Sequence, residues 1–263
     1  MSKPLHIIIL AAGAGTRMKS RVPKVLQTVG GQPMIIHVLD TALQLQPAGI
    51  HVVFNPKAPE VRESCSAFDI TWAAQAEQLG TGHAVQQAMP GIPSGADVLV
   101  LYGDIPLLEA GVLKDLVRAP TAGLKVLTMD IADPTGYGRI VRDDNGNVTG
   151  IVEERDASRE QRAITEVNSG IIMAARSDLA SCLENLASDN SQNEYYLTDV
   201  ISIAYGKGIK TSGVLAPDPT DLEGANDRIQ LAELERRYRM KKATELMQAG
   251  VQLADPQRID IRG

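Results

Sequence analysis

Aromatic rings are scarce in this sequence: Trp72, two phenylalanines and six tyrosines make up 3% of 263 residues. That shortage excludes a stacking platform for single-stranded nucleic acid. Only two cysteines occur, Cys65 and Cys182, without C-x-x-C or zinc-finger spacing. A disulfide framework and a thiolate zinc site are therefore excluded. Counting leaves a single bridge between the two open; two reduced thiols in a cytoplasmic protein is the reading adopted. There is no surplus of positive charge either, since 26 Lys and Arg against 32 Asp and Glu give a net charge of −6. A nucleic-acid-coating protein would carry the opposite sign. No apolar run approaches the roughly 18 residues of a membrane helix. Repeats and low-complexity tracts are missing as well. What remains is 44% hydrophobic and 22% charged, a globular composition long enough for one large domain or two small ones.

The N-terminus tests this reading, because Lys3 followed by Ile7-Ile8-Ile9-Leu10-Ala11-Ala12 faintly resembles a signal peptide. The apolar stretch is too short and runs directly into a Gly-rich basic segment, so it reads as a first buried strand. Short apolar runs follow at 51–54, 70–73, 98–102 and 124–129, with helix-patterned segments at 33–45, 58–66, 82–89 and 107–118 between them. Unbroken apolar strands alternating with helices indicate an α/β fold: a Rossmann-like, mostly parallel sheet covered by helices on both faces. Ligands of such sheets lie beyond the carboxyl ends of the strands. After residue 130 the pattern changes. Apolar segments at 139–142 and 148–153 flank Asp143-Asp144-Asn145-Gly146-Asn147, a hairpin signal. A charged stretch at 154–166 leads to a strand at 169–175, helices at 178–187 and 195–205, and a strand at 209–215. A last long helix spans about 225–249.

The most informative segment is Leu10-Ala11-Ala12-Gly13-Ala14-Gly15-Thr16-Arg17-Met18, continuing through Lys19, Arg21, Pro23 and Lys24. A Gly-rich turn after a first strand exposes backbone N–H groups to phosphate oxygens, and the four cations that follow suit a polyphosphate. Neither familiar phosphate motif is present. A dinucleotide fingerprint would need a third glycine where Met18 stands, and a P-loop would close with Gly-Lys-Ser/Thr. Asp104 sits just past the strand at 98–102, at the sheet's ligand edge. On residues alone it is equally a metal-binding carboxylate or the N-cap of the helix at 107–118. Asn226 reads as an ordinary helix-start residue.

L-A-A-G-x-G-T-R-M followed by P-K-V-L resembles the signature of nucleotide-sugar pyrophosphorylases. The similarity continues through Gln75, Gly80-Thr81-Gly82-His83-Ala84, Tyr102-Gly103-Asp104, Asp133-Pro134, Gly136-Tyr137-Gly138-Arg139, Glu153, Asn168, Glu194-Tyr195-Tyr196-Leu197-Thr198-Asp199 and Asn226. This ordered set resembles the uridyltransferase half of the bacterial bifunctional N-acetylglucosamine-1-phosphate uridyltransferases/glucosamine-1-phosphate acetyltransferases. It covers essentially the whole chain.

The resemblance implies attack of a sugar 1-phosphate on the α-phosphate of UTP, with release of pyrophosphate and formation of UDP-N-acetylglucosamine. It implies Arg17 and Lys24 as the catalytic cations, and Mg²⁺ held by Asp104 and Asn226. Uracil would be read by Gln75, Gly80 and Thr81 with the backbone of Leu10, Ala11, Ala12 and Gly13. Tyr102, Gly103 and Asp104 would border the same pocket, and Gly138, Glu153, Asn168 and Ser169 would line the sugar end. The implied partners are UTP and N-acetylglucosamine 1-phosphate, with no nucleic acid and no membrane, in the cytoplasm. A smaller β-rich sugar-binding lobe is expected after about residue 130. The expected division is a nucleotidyltransferase domain at 1–226, a linker helix at 227–250, and the start of a β-helix domain at 251–263. That further domain would carry acetyl transfer and homotrimer contacts, so neither is expected of 1–263 alone. Two alternatives stay open: the same chemistry on another sugar 1-phosphate, and a non-catalytic nucleotide-sugar sensor.

Overall fold

The computed structural model describes residues 3–13, 15–119 and 123–260. Ala14 of the glycine-rich turn and Ile261-Arg262-Gly263 of the tail lie outside the described residues. The chain begins with β1 (Leu5–Leu10), a short pair β2 (Thr28–Val29) and β3 (Gln32–Pro33), α1 (Met34–Leu43), β4 (Gly49–Phe54) and α2 (Glu60–Ser64). It continues through β5 (Thr71–Ala74), α3 (Thr81–Ala88), β6 (Asp97–Tyr102), α4 (Ala110–Arg118) and β7 (Leu124–Asp130). The second part comprises β8 (Arg139–Arg142), β9 (Val148–Val152), α5 (Arg159–Arg162), β10 (Glu166–Ala175), α6 (Arg176–Leu183), α7 (Asp199–Gly206), β11 (Thr211–Leu215) and α8 (Arg228–Gln248).

Nine of these strands form one sheet, seven along the path β11-β7-β10-β6-β1-β4-β5 and two, β8 and β9, attached to it through β10. β1, β4, β5 and β6 run parallel, as do β7 and β11, while β10 is antiparallel to both β6 and β7. Alternation along each central strand divides the core. Ile8, Leu10, Val53, Val98 and Val100 face one apolar cluster; Ile7, Ile9, Val52, Leu99 and Leu101 face the other. Both faces are dry, which is why these strands read as continuous apolar runs. Cys65 belongs to one face and Cys182 to the other, and both are free thiols. The sheet lies between them, so the disulfide left open by counting does not form.

The lobe after residue 130 is continuous with the main sheet. The β8–β9 hairpin joins it where Arg139 pairs with Val167 of β10. Its turn places Gly146 at φ 81, and Asp143 Oδ1 accepts the backbone N–H groups of Asn145 and Asn147. The register of β10 then shifts between Asn168 and Ile172, around Gly170 at φ 89. A β-bulge of this kind bends the strand from the lobe into the core. The charged stretch at 154–166 holds α5, closed by a Ser158/Gln161 capping box.

Several helix boundaries differ from expectation, and two of them lie close to the cleft. The helix expected from Tyr195 starts at Asp199, because the Tyr195 backbone is already committed: its N–H donates to Leu79 and its carbonyl accepts from Gly82. The helix expected from Leu107 starts at Ala110, after Glu109. α8 is capped by Asp227, whose carboxylate accepts the N–H groups of Ile229 and Gln230 at 2.9 Å. It docks through Leu234, which shares a small core with Met18, Val29, Met34, Leu107 and Ala225. No helix among the described residues is long and apolar enough to cross a membrane.

His6 on β1 and His51 on β4 are both buried, with Nδ1 of one 3.0 Å from Nε2 of the other. Burial lowers the His6 imidazole, and burial together with the adjacent His6 ring pushes His51 down to about 4. Both rings are neutral in the fold, whereas the unfolded chain protonates them near the ordinary histidine value of about 6.5. The stability they permit is complete above that value and is lost as pH falls from there toward 4. The melting temperature is expected to drop across that window, and His51→Gln to flatten the slope. A slope unchanged by the substitution would assign the acid sensitivity elsewhere.

Candidate active site

A cleft of about 490 Å³ opens beyond the carboxyl ends of β1, β5 and β6. One wall is the loop leaving β1. Gly15 sits at φ 57, a short 3₁₀ turn carries Thr16–Met18, and Lys19 follows at φ 47. A Cβ at Gly15 would lie 2.7 Å from that of Lys24, so the two ends of this loop touch and glycine is required there.

Arg17 and Lys24 both reach the cleft and converge on one oxygen. Asn226 Oδ1 accepts from Arg17 Nη2 at 3.0 Å and from Lys24 Nζ at 2.8 Å. The Lys24 ammonium also pairs with the Asp104 carboxylate, both side chains being largely buried. Asp104 does not cap α4, which begins six residues on, and Asn226 does not cap α8, since Asp227 does. Each side chain is thereby left free for the cleft. Gly224 makes this possible, because a Cβ there would stand 2.9 Å from Asp104 Oδ2.

The opposite wall is set by the segment after β5. Gln75 is buried; its amide N–H₂ donates to the Gly80 carbonyl at 3.0 Å and lies 3.1 Å from His83 Nδ1. Gly80 adopts φ 111 with its Cα against the Tyr195 backbone, and the Thr81 hydroxyl accepts the Leu197 N–H. Leu10, Ala11, Ala12 and Gly13 form the floor. Gly103 lies behind it, donating to the Leu10 carbonyl without lining the cleft. Gln78 was missed by sequence reasoning; it lines the cleft and donates to the Ala12 carbonyl at 2.5 Å. Gln192 and Glu194 also face the cleft. Only the general similarity of the E-Y-Y segment could have pointed to them.

Tyr102 connects this cleft to the lobe. Its ring packs on Gly170, where a Cβ would stand 2.5 Å away, and Tyr102 and Thr81 both line the cleft. Burial, with Glu153 adding to it, pushes the phenol well up, so it is neutral at ordinary pH. Gly138, Glu153 and Asn168 stand outside the cleft lining but are brought together: the Gly138 carbonyl accepts the Asn168 N–H at 2.8 Å, and a Cβ at Gly138 would lie 3.5 Å from the Glu153 carboxyl. Asn168 Oδ1 already accepts the Gly170 N–H. Ser169 departs from expectation. Its hydroxyl donates to the Leu127 carbonyl at 2.7 Å and accepts the Ile171 N–H, so the bulge uses it internally. Among the described residues no group of three or more His, Cys, Asp or Glu could hold a metal.

A glycine-rich loop, two cations and a carboxylate gathered at the ligand edge of a mostly parallel sheet define the nucleotidyltransferase class. Residues 7–196 match the MobA-like NTP transferase domain, and the chain belongs to that family. It is similar to the bifunctional protein GlmU of Pseudomonas aeruginosa, 52% identical over 260 residues covering 98% of this chain and 57% of the relative. The GlmU of Alkalilimnicola ehrlichii is 48% identical over 263 residues, 100% of this chain and 57% of the relative. The chain thus spans less than two thirds of the relatives it matches. A structure from Bacillus anthracis, assigned as a glucose-1-phosphate thymidylyltransferase and solved with sucrose, shares the fold at a TM-score of 0.68 and 17% identity, over 96% of this chain and 98% of that one.

Glu153 is the group whose ionisation the lobe controls. Burial pushes its carboxyl up, the Thr198 hydroxyl at 2.9 Å from Oε1 opposes this, and Asp199 and Asp156 push up further. Thr198→Val removes the opposing hydrogen bond and should move the Glu153 titration to higher pH, read from its carboxyl carbon resonance. An unmoved titration would show that this hydrogen bond does not set the charge.

Proposed function

We propose that this chain transfers a uridylyl group from UTP to N-acetylglucosamine 1-phosphate, releasing pyrophosphate and forming UDP-N-acetylglucosamine. The observation that carries the reading is the meeting of Arg17, Lys24, Asp104 and Asn226 at one point of the sheet edge, from three distant stretches of chain. The similarity to GlmU proteins over the whole chain supports the choice of base and sugar. Residues 1–226 would form the nucleotidyltransferase unit, with Asn226 its last contribution and α8 following. A soluble cytoplasmic setting fits substrates that carry several phosphate charges.

The chemistry asks little of an acid or base. The second pKa of a phosphate monoester is about 6, so the attacking oxygen of the sugar 1-phosphate is already anionic. What the site supplies is alignment and neutralisation of charge gathering around the α-phosphorus. The Arg17 guanidinium can span two phosphate oxygens while the Lys24 ammonium acts as a point charge. Both now donate to Asn226, a neutral acceptor that phosphate oxygens readily outcompete. Gln75 and the Gly80–Thr81 backbone suit the imide edge of uracil, and Gln78 holds the Ala12 carbonyl in place beside it. Glu153 and Asn168 suit hydroxyl and acetamido groups, with Gly138 allowing close approach.

Asp104 and Asn226 fit Mg²⁺. They form a hard oxygen pair that already shares one cation, the Lys24 ammonium, and phosphate oxygens would complete the ion's shell. When bound there, the ion would supply further charge neutralisation to the triphosphate.

Pyrophosphate release with UTP, Mg²⁺ and a panel of sugar 1-phosphates tests the reading. Turnover is expected with N-acetylglucosamine 1-phosphate; preference for another sugar, or binding without turnover, would replace it. Arg17→Ala should lower kcat on the order of 10²–10³-fold, the usual loss of one preorganised donor. Asp104→Asn and Asn226→Ala should each raise the Mg²⁺ concentration for half-maximal rate, Asp104→Asn more strongly because it removes a full charge. Unchanged metal dependence in both would remove the shared-ion assignment.

A further inference from the structure

We propose that Arg228 is a positioning residue: from the first turn of α8 it holds the loop that carries Arg17 and Lys24. Its Nε donates to the Met18 carbonyl at 3.2 Å and its Nη1 to Gln27 Oε1 at 3.1 Å. Gln27 is itself buried, and its amide N–H₂ donates to the Val22 carbonyl at 3.0 Å and to the Ser20 hydroxyl at 3.3 Å. The Ser20 hydroxyl in turn accepts the Val22 N–H at 3.1 Å. One guanidinium therefore anchors a set of hydrogen bonds to Met18, Ser20, Val22 and Gln27, residues that lie between the two cations and just beyond the second.

The loop has reason to need such a brace. Lys19 occupies the left-handed region at φ 47, which a residue with a Cβ adopts only where its surroundings over-determine it. The neighbouring Met18 is fixed twice: its side chain is 1% exposed in the small core under α8, and its carbonyl faces Arg228. Arg17 lies between this fixed point and Gly15. Its own side chain is exposed, with Asn226 as its partner. Helix formation does not explain the placement of Arg228. A cation in the first turn faces the positive end of the helix dipole, and the first turn of α8 holds no acidic residue. A local preference broken in this way marks a position chosen for a tertiary purpose. Three successive residues divide the work: Asn226 meets the cations, Asp227 caps the helix, and Arg228 holds the loop.

The activity arm of the test rests on the uridylyl-transfer reading; a proteolysis arm does not. Lys19 and Arg21 are exposed in the braced segment, so trypsin reports its mobility directly. In the full chain, Arg228→Ala should lower kcat roughly 10- to 100-fold, the scale of a small misplacement of catalytic groups. The KM for N-acetylglucosamine 1-phosphate should stay within about twofold, because the sugar end is untouched. Cleavage after Lys19 and Arg21 should accelerate while the melting temperature holds. Arg228→Lys, which reaches one acceptor instead of two, should recover part of the rate and serves as the test variant if Arg228→Ala does not fold. Glu235→Gln is the control. It weakens the contact of α8 with the Gly30 N–H without touching this loop, and should change neither rate nor cleavage. Wild-type kcat and wild-type cleavage in the Arg228 variants would overturn the proposal, as would an equal loss in Glu235→Gln. A wild-type protein inactive on UTP and N-acetylglucosamine 1-phosphate would instead sink the function reading, leaving the cleavage arm to decide on Arg228.

Discussion

The Lys24 ammonium, held between the Asp104 carboxylate and the Asn226 amide oxygen, is the contact on which the rest of the architecture converges. It ties the loop after β1 to the end of β6 and to the start of α8, partners separated by 202 positions in the case of Asn226. An ion pair this shielded from water is stabilising only if its surroundings satisfy the remaining lone pairs. Gly224 leaves space beside Asp104, and Asp227 takes over the capping of α8 so that Asn226 need not.

The second organising feature is the bulge in β10. It lets one strand serve two purposes, pairing with β8 in the lobe before the bulge and with β6 in the core after it, while β7 runs alongside on both sides. Gly170 at its centre receives the Tyr102 ring, and Ser169 closes the bulge by bonding backbone on both sides. Tyr102 thus stands between the cleft, which it lines, and the bulge, which receives its ring.

Much of this was legible in the residues. The unbroken isoleucines of β1 read as a buried strand, and Ile7, Ile8 and Ile9 divide between the two faces of the core. The Asn-Gly pair marked the β8–β9 turn, and the Gly-rich loop with its cations marked the ligand edge. What could not be read were contacts between residues with no local pattern. Asn226 looks like any helix-start residue until Asp227 is seen to cap. Asp104 looks like a cap until α4 is seen to begin at Ala110. Tyr195 carries helical periodicity, but its backbone is taken by Leu79 and Gly82. His6 and His51 meet only because parallel register sets β1 beside β4. For Asn226, Asp104 and Tyr195, a contact across the fold takes the place of a preference visible within a few residues.

The placement of the two thiols gives the molecule a pair of internal gauges. Cys65 and Cys182 are each fully buried, one beneath each face of the sheet, and burial raises both thiols above the ordinary range. Neither can react until its own layer of helices lifts away, because apolar burial disfavours the reactive thiolate and shuts the reagent out. Alkylation of one residue therefore times the opening of the α2 side of the core, and alkylation of the other times the α6 side. A protein whose layers open as one cooperative unit would lose both thiols at a common rate, and one built of separable layers would lose them in sequence.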